Sequence, residues 1–186
     1  VLVRSRSGNF TYSDTEFDIM KKDIQLCKDL GFAGIVSGVL HTDRTIDIER
    51  TKELIALSKP LPFTFHRAFD WTPNPFEALE QLIDLGVERI LTSGQADSAE
   101  KGIEMLKQLK EKANKRITIL PGGGINAQNA YIFKDNGFTE IHASATSTFS
   151  VNEKPKISMN SLKLFDETIE VVSDLGKIKE ILNSVS

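Results

Sequence analysis

Three polar side chains that can do chemistry follow directly on an apolar segment near the middle of the chain. Residues 62–65 alternate in the manner of a β-strand, and His66, Arg67 and Asp70 come immediately afterwards. An imidazole beside a guanidinium and a carboxylate can move protons or bind an anion, and an imidazole can also coordinate a metal. Because α/β barrels and open α/β sheets carry their sites where strands leave the core, His66, Arg67 and Asp70 are candidate catalytic residues. The alternatives are a histidine held by structural hydrogen bonds and an ion pair between Arg67 and Asp70.

A run of three glycines follows another predicted strand. Gly122, Gly123 and Gly124 come after residues 117–120 and precede Asn126, which we expect to cap a short helix. Glycines allow backbone N–H groups to approach an oxyanion closely, and a helix N-terminus adds a favourable field. The turn is therefore a candidate phosphate or carboxylate site. The alternative is a tight turn that only requires positive φ angles.

Further candidate side chains also follow predicted strands. Those proposed to bind the substrate or its anionic group are Arg4, Arg6, Ser93 and Ser144. The two arginines alternate with serines, so both can point to the same side, where they meet either a substrate anion or solvent. His142 ends the last predicted strand and joins His66 as a candidate metal ligand. Cys27, in contrast, belongs to an apolar helical stripe and is predicted to be a buried small hydrophobe.

The elements that must position these groups form a repeating strand–helix array. Three similar segments begin at Gly31, Gly86 and Gly137, which are 55 and 51 positions apart (86 minus 31, 137 minus 86), so each interval holds two strand–helix units. Six strands are predicted, near residues 1, 33, 62, 88, 117 and 139. This rhythm predicts an α/β fold of the TIM-type (β/α) barrel, apparently lacking its first two βα units. A doubly wound sheet is the alternative architecture.

The chain reads as one domain over residues 1–186. We expect an irregular segment over about residues 145–173, where Ser, Asn, Thr and Lys replace the strand–helix rhythm, and a terminal helix over about residues 176–185. An array of six strands would leave sheet edges open, which predicts a homo-oligomer that pairs at the edge formed by residues 1–4.

Composition excludes some classes of partner. The chain has 186 residues and a formal net charge of -3, with its basic residues scattered, so no nucleic-acid partner is expected. No apolar run is long enough to span a bilayer, so no membrane partner is expected either. The single cysteine rules out an internal disulfide and fits a cytoplasmic location.

Several segments together resemble the CutC copper-homeostasis family. The matching segments are residues 4–10, 62–70, 91–94, 121–125 and 142–145. The resemblance implies a TIM-type barrel in the cytoplasm, a role in copper handling and copper as a bound ion. This sequence differs from the family pattern at Ser5, Ser7 and Asn9, and it has Thr146 where family members usually carry an arginine.

Three hypotheses follow. The first is a CutC-type copper-homeostasis protein that binds copper, with His66 and His142 as the plausible ligands, because one cysteine and dispersed methionines give no soft-ligand cluster. The second is a TIM-barrel enzyme acting on a small anionic or phosphorylated substrate at the C-terminal face of the strands. The third is a non-catalytic scaffold.

Overall fold

A computed structural model describes residues 1–150, 156–158 and 166–186. A parallel sheet of four strands forms the centre of the protein. Its strands are β1 (Ile35–Ser37), β2 (Phe63–Phe65), β3 (Arg89–Thr92) and β4 (Thr118–Pro121). They lie side by side in the order in which they occur along the chain. A doubly wound sheet reverses its strand order at a switch point, so this sequential order is that of a barrel segment and confirms the predicted fold class.

Two of the six predicted strands are reduced to single bridges at the two ends of this sheet. Leu2 pairs with Val36 on one side, and His142 pairs with Gly122 on the other. The prediction of full strands at residues 1–4 and 139–143 was therefore wrong in extent, although both segments lie where those strands would lie. The first segment pairs only at Leu2 because the chain turns away at Arg4, whose guanidinium binds carbonyl groups of the loop that follows.

Helices follow the strands, as the array requires. They are α1 (Asp14–Asp29), α2 (Ile48–Ser58), α3 (Pro75–Asp84), α4 (Ile103–Ala113), α5 (Ala130–Asp135) and α6 (Leu175–Val185), with a 3₁₀ helix at Arg67–Trp71. Helix α1 begins where the sequence predicts, because Ser13 and Glu16 form a capping box. Helix α5 begins only at Ala130, so no helix starts directly after the glycine run, contrary to expectation.

The two faces of the sheet have different surroundings. Phe63 and Phe65 project from one face and are completely buried in the main hydrophobic core. Successive side chains of a strand alternate between faces, so Thr64 and His66 project from the opposite face. The histidine therefore lies on the face opposite Phe63 and Phe65, at the carboxyl end of the sheet.

A second, antiparallel pair of strands lies within the segment that the sequence predicts to be irregular. Strands β5 (Thr146–Ser150) and β6 (Ile169–Ser173) pair over their whole length. Alternating β-branched and aromatic residues favour these two strands. The prediction of an irregular segment was wrong here because it relied on the Ser- and Lys-rich composition of the whole region. Other parts of the predicted irregular segment, residues 151–155 and 159–165, lie outside the described residues. Helix α6 then extends one residue beyond the predicted terminal helix at its start.

The lengths and hydrophobicity of the helices can be compared with those of a membrane span. None of the helices in these ranges combines the length and the hydrophobicity that a bilayer-spanning segment needs.

Candidate functional site

The carboxyl ends of β1 to β4 lie at one edge of the sheet, and most of the candidate residues gather there. The 3₁₀ helix starts directly after β2, with His66 as its N-cap. One turn of this helix separates Arg67 from Asp70, so both side chains reach the loop that follows β3. The tight turn after the strand is what brings these two predicted residues together.

Asp70 is the centre of a hydrogen-bond network. Its carboxylate accepts hydrogen bonds from the Thr92 hydroxyl, from the backbone N–H groups of Ser93 and Gln95, and from Arg67 Nε. Its side chain is only 7% exposed. Since the accepted bonds occupy both oxygens, Asp70 acts through the groups that it holds.

Arg67 is held on two sides and open on a third. Its Nε donates to Asp70 Oδ2 at 2.7 Å and its Nη2 donates to Ser93 Oγ at 2.8 Å. The third nitrogen, Nη1, faces the glycine run: a Cβ built on Gly123 would lie 3.1 Å from Nη1 and 3.3 Å from Ser93 Cβ. The φ angle of Gly123 is +116°. A side chain at this position is therefore disfavoured both by its conformation and by the approach of Arg67.

His66 is buried and neutral. It is 4% exposed, and burial, with a smaller contribution from the charge of Arg4, lowers the pKa of its imidazole to about 3. Nδ1 accepts a hydrogen bond from the Ala68 N–H at 3.2 Å, so the neutral ring carries its proton on Nε2. That Nε2 is buried and has no hydrogen-bond partner in the described part of the chain. Neither a substrate proton nor a metal ion reaches this nitrogen without a movement of the surrounding side chains.

The surroundings of His66 explain why it is sealed. The Phe10 ring lies 4.8 Å from the imidazole, centroid to centroid, and 4.9 Å from the Trp71 ring. A Cβ on Gly38 would come within 2.9 Å of the imidazole, so only glycine leaves room for the ring at this point of the neighbouring strand's exit. Arg4 lies over the Phe10 ring, with its Cζ 4.5 Å from the ring centroid.

Arg4 and Arg6 both bind the loop that follows the first segment. Arg4 Nη2 donates to the carbonyl groups of Gly8 and Asn9, and Arg6 Nη1 also donates to the Asn9 carbonyl. Arg4 in addition lies by the Phe10 ring near His66, whereas Arg6 Nε donates to Glu16 Oε1 at 2.6 Å. Both guanidinium groups thus have partners within the protein, and their role in binding a substrate anion stays a prediction.

The predicted anion site is divided in two by the glycine run. Gly123 lies beside Arg67 and Ser93, whereas Gly124 and Ser144 line a separate cavity of about 350 Å³. Gly122 is buried, and a Cβ there would lie 2.5 Å from Leu91 Cδ1, so this glycine serves packing. The N–H groups of Gly123 and Gly124 donate to no acceptor among the described residues.

The two candidate metal ligands differ in accessibility. His142 is exposed and its N–H bonds to the Pro121 carbonyl, whereas His66 is buried. Across the residues that the structure describes, no three His, Cys, Asp or Glu side chains come together as a metal-binding group. Cys27 is buried in α1, as predicted.

Several residues of the site were not singled out from the sequence. Thr92 donates to the Asp70 carboxylate, Phe10 packs against His66, and Lys177 lines the cavity beside Gly124. Thr92 precedes Ser93 at a strand exit, which is a usable signal. Phe10 and Lys177 carry no such signal, because they come from a distant loop and from the terminal helix.

Comparisons with known proteins agree with this arrangement. The CutC family model matches residues 1–147. A CutC family protein from Bacteroides fragilis and the human copper homeostasis protein cutC homolog are each 43% identical over 190 residues; the match covers all of this chain and 76% and 69% of those proteins. The crystal structure of a CutC protein from Streptococcus agalactiae superposes with a TM-score of 0.72 and 37% identity over 76% of this chain and 70% of that chain. The chain therefore belongs to the CutC family.

Proposed function

We propose that this chain serves in copper homeostasis. The observation that carries the proposal is its 43% identity, over its whole length, to the human protein named for that role. The test is growth of copper-stressed cells that lack their own CutC relative. Expression of this chain should restore growth at copper concentrations that inhibit the deficient cells. Equal growth with and without the chain, at matched expression of soluble protein, would contradict the proposal.

Direct coordination of copper is a finer proposal, and the described donor set does not fit a resident copper ion. Cu(I) favours thiolate and thioether ligands, and Cu(II) favours imidazole with other nitrogen and oxygen donors. Cys27 is buried, the proton of His66 sits on a sealed Nε2, and His142 is exposed at the edge of the sheet. We therefore treat copper as an ion whose handling the protein affects and derive no step through a bound ion.

A copper titration of the purified chain tests coordination directly. The variant in which His66→Ala and His142→Ala are combined removes both candidate ligands. Equal copper affinity of this variant and the wild type would exclude a site built on these two imidazoles. A loss of binding in the double variant, with the fold retained by circular dichroism, would establish it.

A second function is favoured by the open side of Arg67. We propose that the carboxyl edge of the sheet binds a small anionic molecule, as an enzyme of the TIM-barrel type would. Asp70 and Ser93 fix the guanidinium, Nη1 approaches Gly123, and the Gly123 N–H has no described acceptor. The Arg67 side chain is 42% exposed and so is accessible to a ligand. Because its guanidinium is already fixed, it binds an oxyanion without losing further conformational freedom.

The residues divide into distinct roles in this second proposal. Arg67 and the Gly123 N–H bind the anion, Ser93 and Asp70 position Arg67, and His66 donates a hydrogen bond from Nε2 if Phe10 moves aside. Screening phosphorylated and carboxylated metabolites by thermal shift tests it, with Arg67→Lys as the variant. A ligand that stabilises the wild type and the variant equally would exclude Arg67 as its binding group.

The cellular location belongs to the same proposal. The one cysteine of the chain is buried and unpaired, which suits the reducing cytoplasm. Fractionation of cells that express the chain tests this point.

A further inference from the structure

The cavity beside Gly124 is separate from the network of Arg67 and Asp70. Its walls are the loop after β4, the segment that leads into β5, and the first turns of α6. The polar residues of the wall are Gly124, Asn126, Gln128, Ser144, Thr146, Lys177 and Glu180. A volume of about 350 Å³ is at the lower end of the range for small-molecule pockets, so the cavity admits a compact ligand.

Lys177 supplies the cation of this cavity. Its Nζ donates to the Thr146 carbonyl at 2.6 Å, which fixes the ammonium at the wall and leaves two of its three protons for other acceptors. Within the described residues Lys177 has no carboxylate within salt-bridge distance. The ammonium is therefore held in place with no carboxylate in direct contact, although its charge acts on Asp174 from a greater distance.

Two uncharged hydrogen-bond donors line the same cavity as the Lys177 ammonium. The Gly124 N–H and the Ser144 hydroxyl make no hydrogen bond to any described residue, and both residues are exposed. Two amides in the first turn of α6 are not available, because Asp174 Oδ1 accepts from the N–H groups of Gly176 and Lys177. An anion in this cavity would be held by side chains and by the glycine loop rather than by the end of the helix.

The position of α6 is fixed independently of any ligand. The Asp174 N–H donates to the Ala145 carbonyl at 2.8 Å, and the Ser147 hydroxyl donates to the Asp174 carboxylate and lowers its pKa. Ile181, one turn after Lys177, is buried in the main core. The wall that carries Lys177 is thus anchored on both sides of the lysine.

We propose that this cavity binds the phosphate group of a small phosphorylated molecule, with Lys177, Ser144 and the Gly124 N–H as its ligands. Glu180 lies on the same wall and disfavours a second negative charge, so the remainder of the ligand is neutral or carries a hydrogen-bond donor toward Glu180. The inference goes beyond the proposed copper role and names a site on the other side of the glycine run from Arg67.

The test is a calorimetric titration of the chain with inorganic phosphate at constant ionic strength. Lys177→Gln should weaken binding about tenfold, because it removes the charged donor. Lys179→Gln removes a charge from an exposed position two residues along α6 and should leave the affinity within about twofold of the wild type. Ser144→Ala, at an exposed residue, should weaken binding by about threefold to tenfold and covers the case in which Lys177→Gln does not fold.

Three outcomes would overturn the inference. They are no phosphate binding by the wild type at millimolar concentrations, equal losses in Lys177→Gln and Lys179→Gln, and unchanged binding in both Lys177→Gln and Ser144→Ala. Arg67→Lys separates this inference from the proposed anion site. If Arg67→Lys abolishes phosphate binding and Lys177→Gln does not, the phosphate lies at Arg67, so this inference fails and the earlier proposal stands.

Discussion

Arg67 Nε donates to Asp70 Oδ2 at 2.7 Å across a single turn of 3₁₀ helix. The carboxylate in this pair is buried, whereas the guanidinium remains partly exposed. The same carboxylate accepts the N–H groups of Ser93 and Gln95, so the loop after β3 and the arginine after β2 share one anchor. A substitution that removes the Asp70 carboxylate should consequently disturb both the orientation of the Arg67 guanidinium and the conformation of the loop after β3.

Asp70→Asn should reduce both stability and ligand binding. Removing the charge leaves Arg67 Nε facing an amide and weakens the bonds from the loop N–H groups, so we expect the free energy of unfolding to fall by about 2 kcal/mol. Glu80→Gln is the control, because Glu80 pairs with Arg116 at the solvent-exposed surface and its loss should reduce stability much less. Urea titrations measure both. Similar losses in the two variants would show that Asp70 is not an anchor.

Gly123→Ala should separate conformational strain from crowding of Arg67. Gly123 and Gly86 both have positive φ angles, so alanine at either position should cost about 1 kcal/mol. Only at Gly123 does the new methyl group meet the arginine, since no atom lies within 4 Å of a Cβ on Gly86. Anion binding at Arg67 should therefore fall in Gly123→Ala and persist in Gly86→Ala. Retained binding in Gly123→Ala would place the anion elsewhere.

His66 should make the protein sensitive to mild acid. Its pKa is lowered from 6.5 to about 3 in the folded state, so between these values the unfolded chain binds more protons than the folded protein. Stability should then decrease as the pH falls through this window, with a contribution of up to about 1.4 kcal/mol per pH unit, and should be independent of His66 above it.

The variant His66→Asn isolates that contribution. An asparagine oxygen can accept the Ala68 N–H in place of Nδ1, so the turn is retained while the titrating group is lost. Unfolding free energies measured from pH 7 to pH 4 should decline less steeply in the variant than in the wild type. His142→Asn, at an exposed histidine of the same edge, should follow the wild type. Parallel curves for His66→Asn and the wild type would refute the assignment.

The first segment of the chain should promote self-association. The Val1 carbonyl and the Val3 N–H bond to Val36, so the N–H and carbonyl of Leu2 point to the opposite side, where no described strand pairs with them. Leu2 is also 60% exposed. Leu2→Lys should shift the protein toward monomer in sedimentation velocity experiments, because a charge at an open edge opposes pairing. A monomeric wild type with protected edge amides would contradict the expectation.

Local patterns in the sequence were sufficient to predict much of the fold. The capping pair of Ser13 and Glu16 gave the start of α1, and the alternation before His66 gave β2 and its polar exit. Each of these features depends only on residues close in the chain. The extent of the strands at residues 1–4 and 139–143 depends on what lies beside them, so the local pattern overestimated it.

The site was predictable only in its parts. The sequence identified Arg67, Ser93 and the glycine run, but the contact of Arg67 Nη1 with Gly123 depends on the register of three neighbouring strands. The sequence also grouped Ser144 with the glycines, but it did not indicate that Lys177 would line the same cavity. The reason is that Lys177 belongs to α6, which lies far along the chain from the glycine run. The hydrogen bonds that occupy both oxygens of Asp70 come from residues distant in the chain, so no local sequence pattern predicts them.

The bond between Arg6 and Glu16 has a consequence for the entrance to the site. Glu16 Oε2 accepts the Ser13 N–H while Oε1 accepts Arg6 Nε, and the Ser13 N–H, followed by Arg6, lowers the pKa of this carboxyl. The loop that carries Phe10 is thereby tied to the start of α1 before any ligand arrives. A ligand that enters should then incur a smaller entropic cost of ordering this loop, and we expect its access to His66 to require movement of the Phe10 ring.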